Sequence, residues 1–176
     1  MKYINLLLLF CALLICNGAN AQRKYYDAMA FGCKGHVKSK TSKQLGGSSS
    51  STTWCFDAQG ALISINGKEI KPEYIERDEN NRLTYLSLVD TAWEYEDGFV
   101  SAEISGPAGK IFGWTWDNVK KQKISGFVSD LEGNLIATTT IQVVHTDSHG
   151  NATKAFITID QQPSMKQTAI DSYEYW

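Results

Sequence analysis

Trp54-Cys55-Phe56-Asp57-Ala58-Gln59-Gly60-Ala61-Leu62-Ile63 holds the unit from which the chain is built: a strand-forming run, an Asp, a short turn ending on Gly, and a new apolar run. Aromatic and β-branched residues suit a pleated, half-buried surface. Asp bonds its own main chain, and Gly enters the left-handed backbone region without steric cost. The unit returns at Tyr74-Ile75-Glu76-Arg77-Asp78-Glu79-Asn80-Asn81-Arg82-Leu83, at Tyr95-Glu96-Asp97-Gly98-Phe99-Val100 and at Trp116-Asp117-Asn118-Val119. It appears again at Asp130-Leu131-Glu132-Gly133-Asn134-Leu135 and Asp147-Ser148-His149-Gly150-Asn151-Ala152. A turn recurring at intervals of roughly 13 to 21 residues between strand formers predicts consecutive β-hairpins.

Moving outward, Leu135 to Val144 alternates with β-branched residues on both faces, which suits a sheet whose two faces are each partly covered, or one that curls on itself, better than a clean sandwich. Ala155 to Ile159 continues the pattern, Gln161-Gln162-Pro163 is expected to stop it, and Thr168 to Trp176 reads as a closing strand. His36 to Thr41 reads as a first strand with its lysines on one face, followed by a flexible connection at Gly46-Gly47-Ser48-Ser49-Ser50-Ser51. Gly106-Pro107-Ala108-Gly109 is a further turn, and Gln22 to Phe31 reads as a short helix or an irregular lead-in. The expected fold class is all-β, with about ten strands in stacked antiparallel β-hairpin repeats that form a long, twisted or curled sheet.

Met1 to Ala21 reads as a signal peptide. Lys2 supplies the charge, Leu6 to Cys16 the short apolar run, and Ala19-Asn20-Ala21 the small-residue cleavage pattern. Residues 22–176 then form a single domain of an exported protein, periplasmic, at the cell surface or secreted. Without Lys2 the 17 basic residues become 16 against 19 acidic ones, a net charge near −3 that does not attract nucleic acid. Polar residues interrupt the later apolar segments, so no transmembrane segment is expected after cleavage. Cys33 and Cys55 remain as either one disulfide or two small buried hydrophobes.

The phrase running from Phe56 to Leu62, Arg77 to Leu83 and Asp130 to Leu135 resembles the YD (tyrosine-aspartate) repeats of Rhs-type proteins, most closely the short exported YD-like proteins of Bacteroidetes. Phe31 to Ser39 is similar to the opening such proteins use. Thr146 to Lys154, with the terminal Tyr173-Glu174-Tyr175-Trp176, resembles their closing unit. The resemblance implies a stack of β-hairpins in one twisted, often curled sheet, and it implies no catalytic residues.

The chemical candidates are few. His145-x-Asp147-x-His149 has the composition of a metal site, but Asp147 lies at the repeat's turn, so no metal site and no cofactor is expected. There is no Gly-x-Ser-x-Gly elbow. Cys33 near His36 reads as packing, and Glu94 with Glu96, or Asp97 with Glu103, as solvated carboxylates. No catalytic residue is assigned. The aromatic pairs are more informative: Trp93 with Tyr95, and Trp114 with Trp116, each share a strand face and can form a stacking platform for sugar rings or a peptide. The expected function is therefore a non-enzymatic binding or structural module of the bacterial envelope, with a glycan, peptide or envelope protein as partner. The open edges of such a sheet allow a homodimer through edge-strand pairing, and a small envelope hydrolase acting on a glycan or peptide is the alternative function.

Overall fold

The computed structural model describes residues 27–45, 50–106, 110–117 and 119–176. The expected signal peptide, most of the Gly46-to-Ser51 connection and the Pro107-Ala108-Gly109 turn lie outside the described residues. After a four-residue helix α1 (Asp27–Ala30), thirteen strands follow among the described residues. They are β1 (Val37–Leu45), β2 (Ser51–Phe56), β3 (Leu62–Ile65), β4 (Lys68–Glu69), β5 (Ile75–Arg77) and β6 (Leu83–Leu86). Then come β7 (Thr91–Glu96), β8 (Phe99–Ser105), β9 (Lys110–Asp117), β10 (Gln122–Asp130), β11 (Leu135–Thr146), β12 (Ala152–Ile159) and β13 (Gln162–Tyr175). All belong to one antiparallel sheet in the order β4-β3-β2-β1-β13-β12-β11-β10-β9-β8-β7-β6-β5.

The hairpins rest on one repeated piece of backbone chemistry. At Asp57, Asp78, Asp130 and Asp147 the residue three positions on donates its N–H to the Asp carbonyl at 3.0 to 3.2 Å, and the Asp N–H reaches the carbonyl four positions on. The Asp side chain also accepts the backbone N–H of that fourth residue. This closure needs a left-handed residue before the next strand; Gly60, Asn81, Gly133 and Gly150 occupy it, with φ between 63 and 87°. Hydrogen bonds from Asn134 hold the Asp130 carboxyl below its ordinary value. For Asp78 and Asp147 burial pulls upward, and the bonds from Arg82, or from Tyr175 and the backbone, outweigh it.

The thirteen strands exceed the expected ten, and one of the additional strands is the two-residue β4: Asn66-Gly67 turns the chain with both residues at positive φ, 50° and 76°, the geometry of a two-residue hairpin. The expected stop at Gln161-Gln162-Pro163 falls earlier: the turn is Asp160-Gln161, and β13 begins at Gln162. On β1 a bulge between Val37 and Ser39 sends Lys38 outward and Lys40 inward, so those lysines do not share a face.

The topology forces the sheet to curl. Its edges, β4 and β5, are consecutive in sequence, with only residues 70–74 between them. Twelve interstrand spacings of about 4.8 Å make a flat sheet about 58 Å wide, whereas those residues reach at most about 23 Å. The sheet must therefore bring its edges round toward each other, while β1 and β13 pair to join the chain's two ends. It remains open at the β4/β5 seam. Following the antiparallel alternation round the order gives β4 and β5 the same sense, and consecutive parallel strands need a connection of about a dozen residues or more.

The segment 27–35 fills the inside of the curl at this seam. Asp27, fully buried, accepts Arg77 Nη1 and Nη2 from β5 at 2.6 Å each and the Leu62 N–H from β3 at 2.8 Å, so one carboxylate holds both margins. Phe31 packs on Trp54 and Phe56 of β2 and on Trp93 of β7. Away from the seam, the far end of the segment at Lys34 meets the 147–151 turn and β13. Asn151, fully buried, accepts the Lys34 N–H at 2.6 Å and donates to the Lys34 carbonyl and the Tyr175 hydroxyl, and Tyr175 donates to Asp147. Among the described residues no helix is long and apolar enough to cross a membrane.

Candidate functional site

The curled sheet encloses a chamber of about 380 Å³ beside the 27–35 segment. Its two walls differ in size of side chain. On one side Ser42 of β1 faces Thr52 of β2, and Ala155 of β12 faces Ala169 of β13. These small residues leave space. On the other side Trp93, Trp114 and Trp116 project from β7 and β9, while Trp54 and Tyr173 close the chamber near Lys40. Gly126 is the device that lays Trp114 flat: the two are cross-strand partners, and a Cβ on Gly126 would stand 2.5 Å from the indole.

Two ion pairs are set into this lining. Lys40 lies 3.2 Å from Asp171 and donates to the Phe31 carbonyl at 2.8 Å. Burial opposes its charge, but Asp171 and Tyr173 hold its pKa above the ordinary lysine value. Lys123 lies 2.7 Å from Glu103, with its ammonium over the rings of Trp114 and Trp116. The indole N–H groups of Trp93 and Trp116 are buried and have no acceptor among the described residues. Leaving such a donor unpaired costs about 1–3 kcal/mol. A second cavity of about 430 Å³ adjoins the first, and Gly32, Lys34, Trp116 and Lys121 line both.

The structure places the four aromatic candidates on the inner side of the sheet, but not as an open platform. Trp93 is only 4 % exposed and belongs to the core, edge-on to Phe31 at 5.3 Å. Trp114 and Trp116 are half-buried chamber residues. Tyr95 lies away from both cavities: its hydroxyl donates to the Leu83 carbonyl at 2.8 Å, and the Arg82 guanidinium covers its ring. The row Trp93–Glu103–Trp114 runs across β7, β8 and β9, so Glu103 and its Lys123 partner interrupt any continuous stacking surface.

Among the described residues no group of His, Cys, Asp and Glu is arranged to hold a metal. His149 stacks on Tyr175 at 4.0 Å and lies over Gly35, while His145 is exposed on β11. Cys33 and Cys55 are free thiols. Trp54 and Phe56 point inward, so alternation puts Cys55 on the outer face of β2, with the sheet between it and buried Cys33. Burial pushes the Cys33 thiol up to about 12, which keeps it protonated. Glu94 and Glu96 are exposed, and Asp97 sits at the turn of the hairpin whose far end carries Glu103.

The inward lysines and the small wall were not singled out from sequence. The only signal lay in the alternation itself: Lys40 and Ser42 on β1, or Ala169, Asp171 and Tyr173 on β13, are two residues apart, but nothing local says which face turns inward. Comparison with protein-family models, curated proteins and solved structures returns no match.

Proposed function

We propose that this is a non-enzymatic binding protein of the YD-like hairpin-repeat kind, exported to the bacterial envelope, which takes a small ring-bearing or apolar ligand into the inside of its curled sheet. The observation that carries this reading is the chamber of about 380 Å³ with tryptophans on one wall and Ser42, Thr52, Ala155 and Ala169 on the other. Ligand sites are typically concave, mostly apolar spaces of this order with a few fixed polar groups. Both chamber carboxylates, Glu103 and Asp171, are engaged by lysines, which favours binding over the hydrolase alternative. The edge strands β4 and β5 are two and three residues long, which offers few ladder bonds to a second copy and favours a small ligand over a strand-paired dimer.

The test is a titration of the mature protein with glycans, short peptides and apolar small molecules, read by tryptophan fluorescence and by thermal shift. A binder whose affinity drops at least tenfold in Trp114→Ala, with the fold intact by circular dichroism, supports the reading. A binder indifferent to both Trp114→Ala and Ala169→Leu, which fills the small wall, refutes it.

A further inference from the structure

Resting on the chamber's role as a ligand site, we infer that its ligand is an organic anion, an acid with an apolar or ring-bearing body whose charged end lies between Lys34 and Lys121. The argument is one of charge. The whole chain is net −2, yet among the described residues the chamber lining carries Lys34, Lys40, Lys121 and Lys123 against only Glu103 and Asp171. Lys40 and Lys123 are matched by those two carboxylates. Lys34 instead donates to the Gly150 carbonyl at 2.7 Å, and Lys121 lies over the Phe99 ring; neither forms an ion pair among the described residues.

The two lysines that lack an ion pair are not scattered. Both are half-buried, and both border the chamber and the adjoining cavity, so they stand where the two spaces meet. Trp116 borders the same junction and carries an indole N–H without an acceptor among the described residues. Lys121 is also held at φ 53°, a left-handed conformation uncommon for residues other than Gly, Asn and Asp, by the turn that Asp117 organises. A carboxylate at the junction would meet two cations, while its body entered between the tryptophans and the small wall.

The experiment uses matched pairs that differ in charge: dodecanoate and dodecan-1-ol, indole-3-acetate and indole-3-acetamide, and a glucuronate-terminated disaccharide with its neutral glucose counterpart. In any pair that binds, the acid should bind at least tenfold tighter than the neutral partner. Lys34→Gln and Lys121→Gln should each weaken the acid about five- to tenfold while leaving the neutral partner unchanged, and Lys43→Gln on exposed β1 should do nothing. Should Lys34→Gln fail to fold, Lys121→Gln together with weaker acid binding at high salt decides the matter. Equal binding of acid and neutral partner, or an acid preference insensitive to both junction lysines, overturns the anion inference and leaves the chamber's role standing. Failure of every pair to bind overturns both.

Discussion

Removing the Asp27 carboxylate is the sharpest test of how this sheet is held in its curl. Asp27 is fully buried and accepts three bonds, two from Arg77 at 2.6 Å and one from the Leu62 N–H at 2.8 Å. Asp27→Ala leaves the Arg77 guanidinium, 21 % exposed, without its carboxylate, and strands a backbone donor. Breaking one side of a buried pair costs about 3–5 kcal/mol. Arg77 keeps some solvent and a bond to the Asn81 carbonyl, which places its share near about 3 kcal/mol, and the orphaned N–H adds about 1 kcal/mol. About 4 kcal/mol is a large part of the roughly 5–15 kcal/mol of a typical domain. At about 2–4 °C per kcal/mol for this size, the melting temperature should fall by roughly 8–16 °C.

The assay is urea and thermal unfolding followed by tryptophan fluorescence, with hydrogen exchange locating the damage. Exchange should quicken first at β3 and β5, the two margins that Asp27 joins. Asp27→Asn retains an acceptor for Leu62 and should recover about 1 kcal/mol. The double variant Asp27→Ala/Arg77→Met also removes the guanidinium that has lost the Asp27 carboxylate and should be more stable than Asp27→Ala alone. A loss below about 1 kcal/mol for Asp27→Ala, or a double variant no better than the single one, would refute the idea that this pair staples the seam.

Other expectations follow from the turns and the chamber. Gly133 has open space around it but φ 86°, so Gly133→Ala should cost about 1 kcal/mol through backbone strain alone, measured by chemical denaturation; no loss would contradict the turn geometry. Gly126→Ala places a methyl 2.5 Å from the Trp114 indole and should cost about 1–3 kcal/mol while shifting tryptophan emission. The Asp78, Asp130 and Asp147 carboxyls are held below their ordinary 3.8. Their contribution to stability is therefore full above that value and lost as pH falls through their lower folded-state values. Melting temperature should be level from about pH 6 to 5 and decline below about pH 4, and replacing all three by Asn should flatten that decline. Cys33, with its thiol at about 12, should resist alkylation at pH 8 until the protein unfolds, and reductant should leave the melting temperature unchanged.

The hairpin turns were legible because their chemistry is local. An Asp, a left-handed Gly or Asn three residues on, and strand formers either side are enough to close the backbone at Asp57, Asp78, Asp130 and Asp147 wherever the segment finds itself. The curl was partly legible in the two-sided alternation of Leu135 to Val144. Asn66-Gly67 carried an equally local signal, and it accounts for one strand beyond the expected count, β4. What only tertiary structure decided is which face of each strand turns inward. A period of two marks Trp114 with Trp116, or Lys40 with Ser42, as neighbours on a face, but it cannot say that these faces meet across a chamber. That depends on the pairing of β1 with β13 and on the short 70–74 connection, which bring residues distant in sequence together. It also depends on the 27–35 segment, whose Asp27 and Phe31 find partners in β2, β3, β5 and β7 only once the sheet has come round.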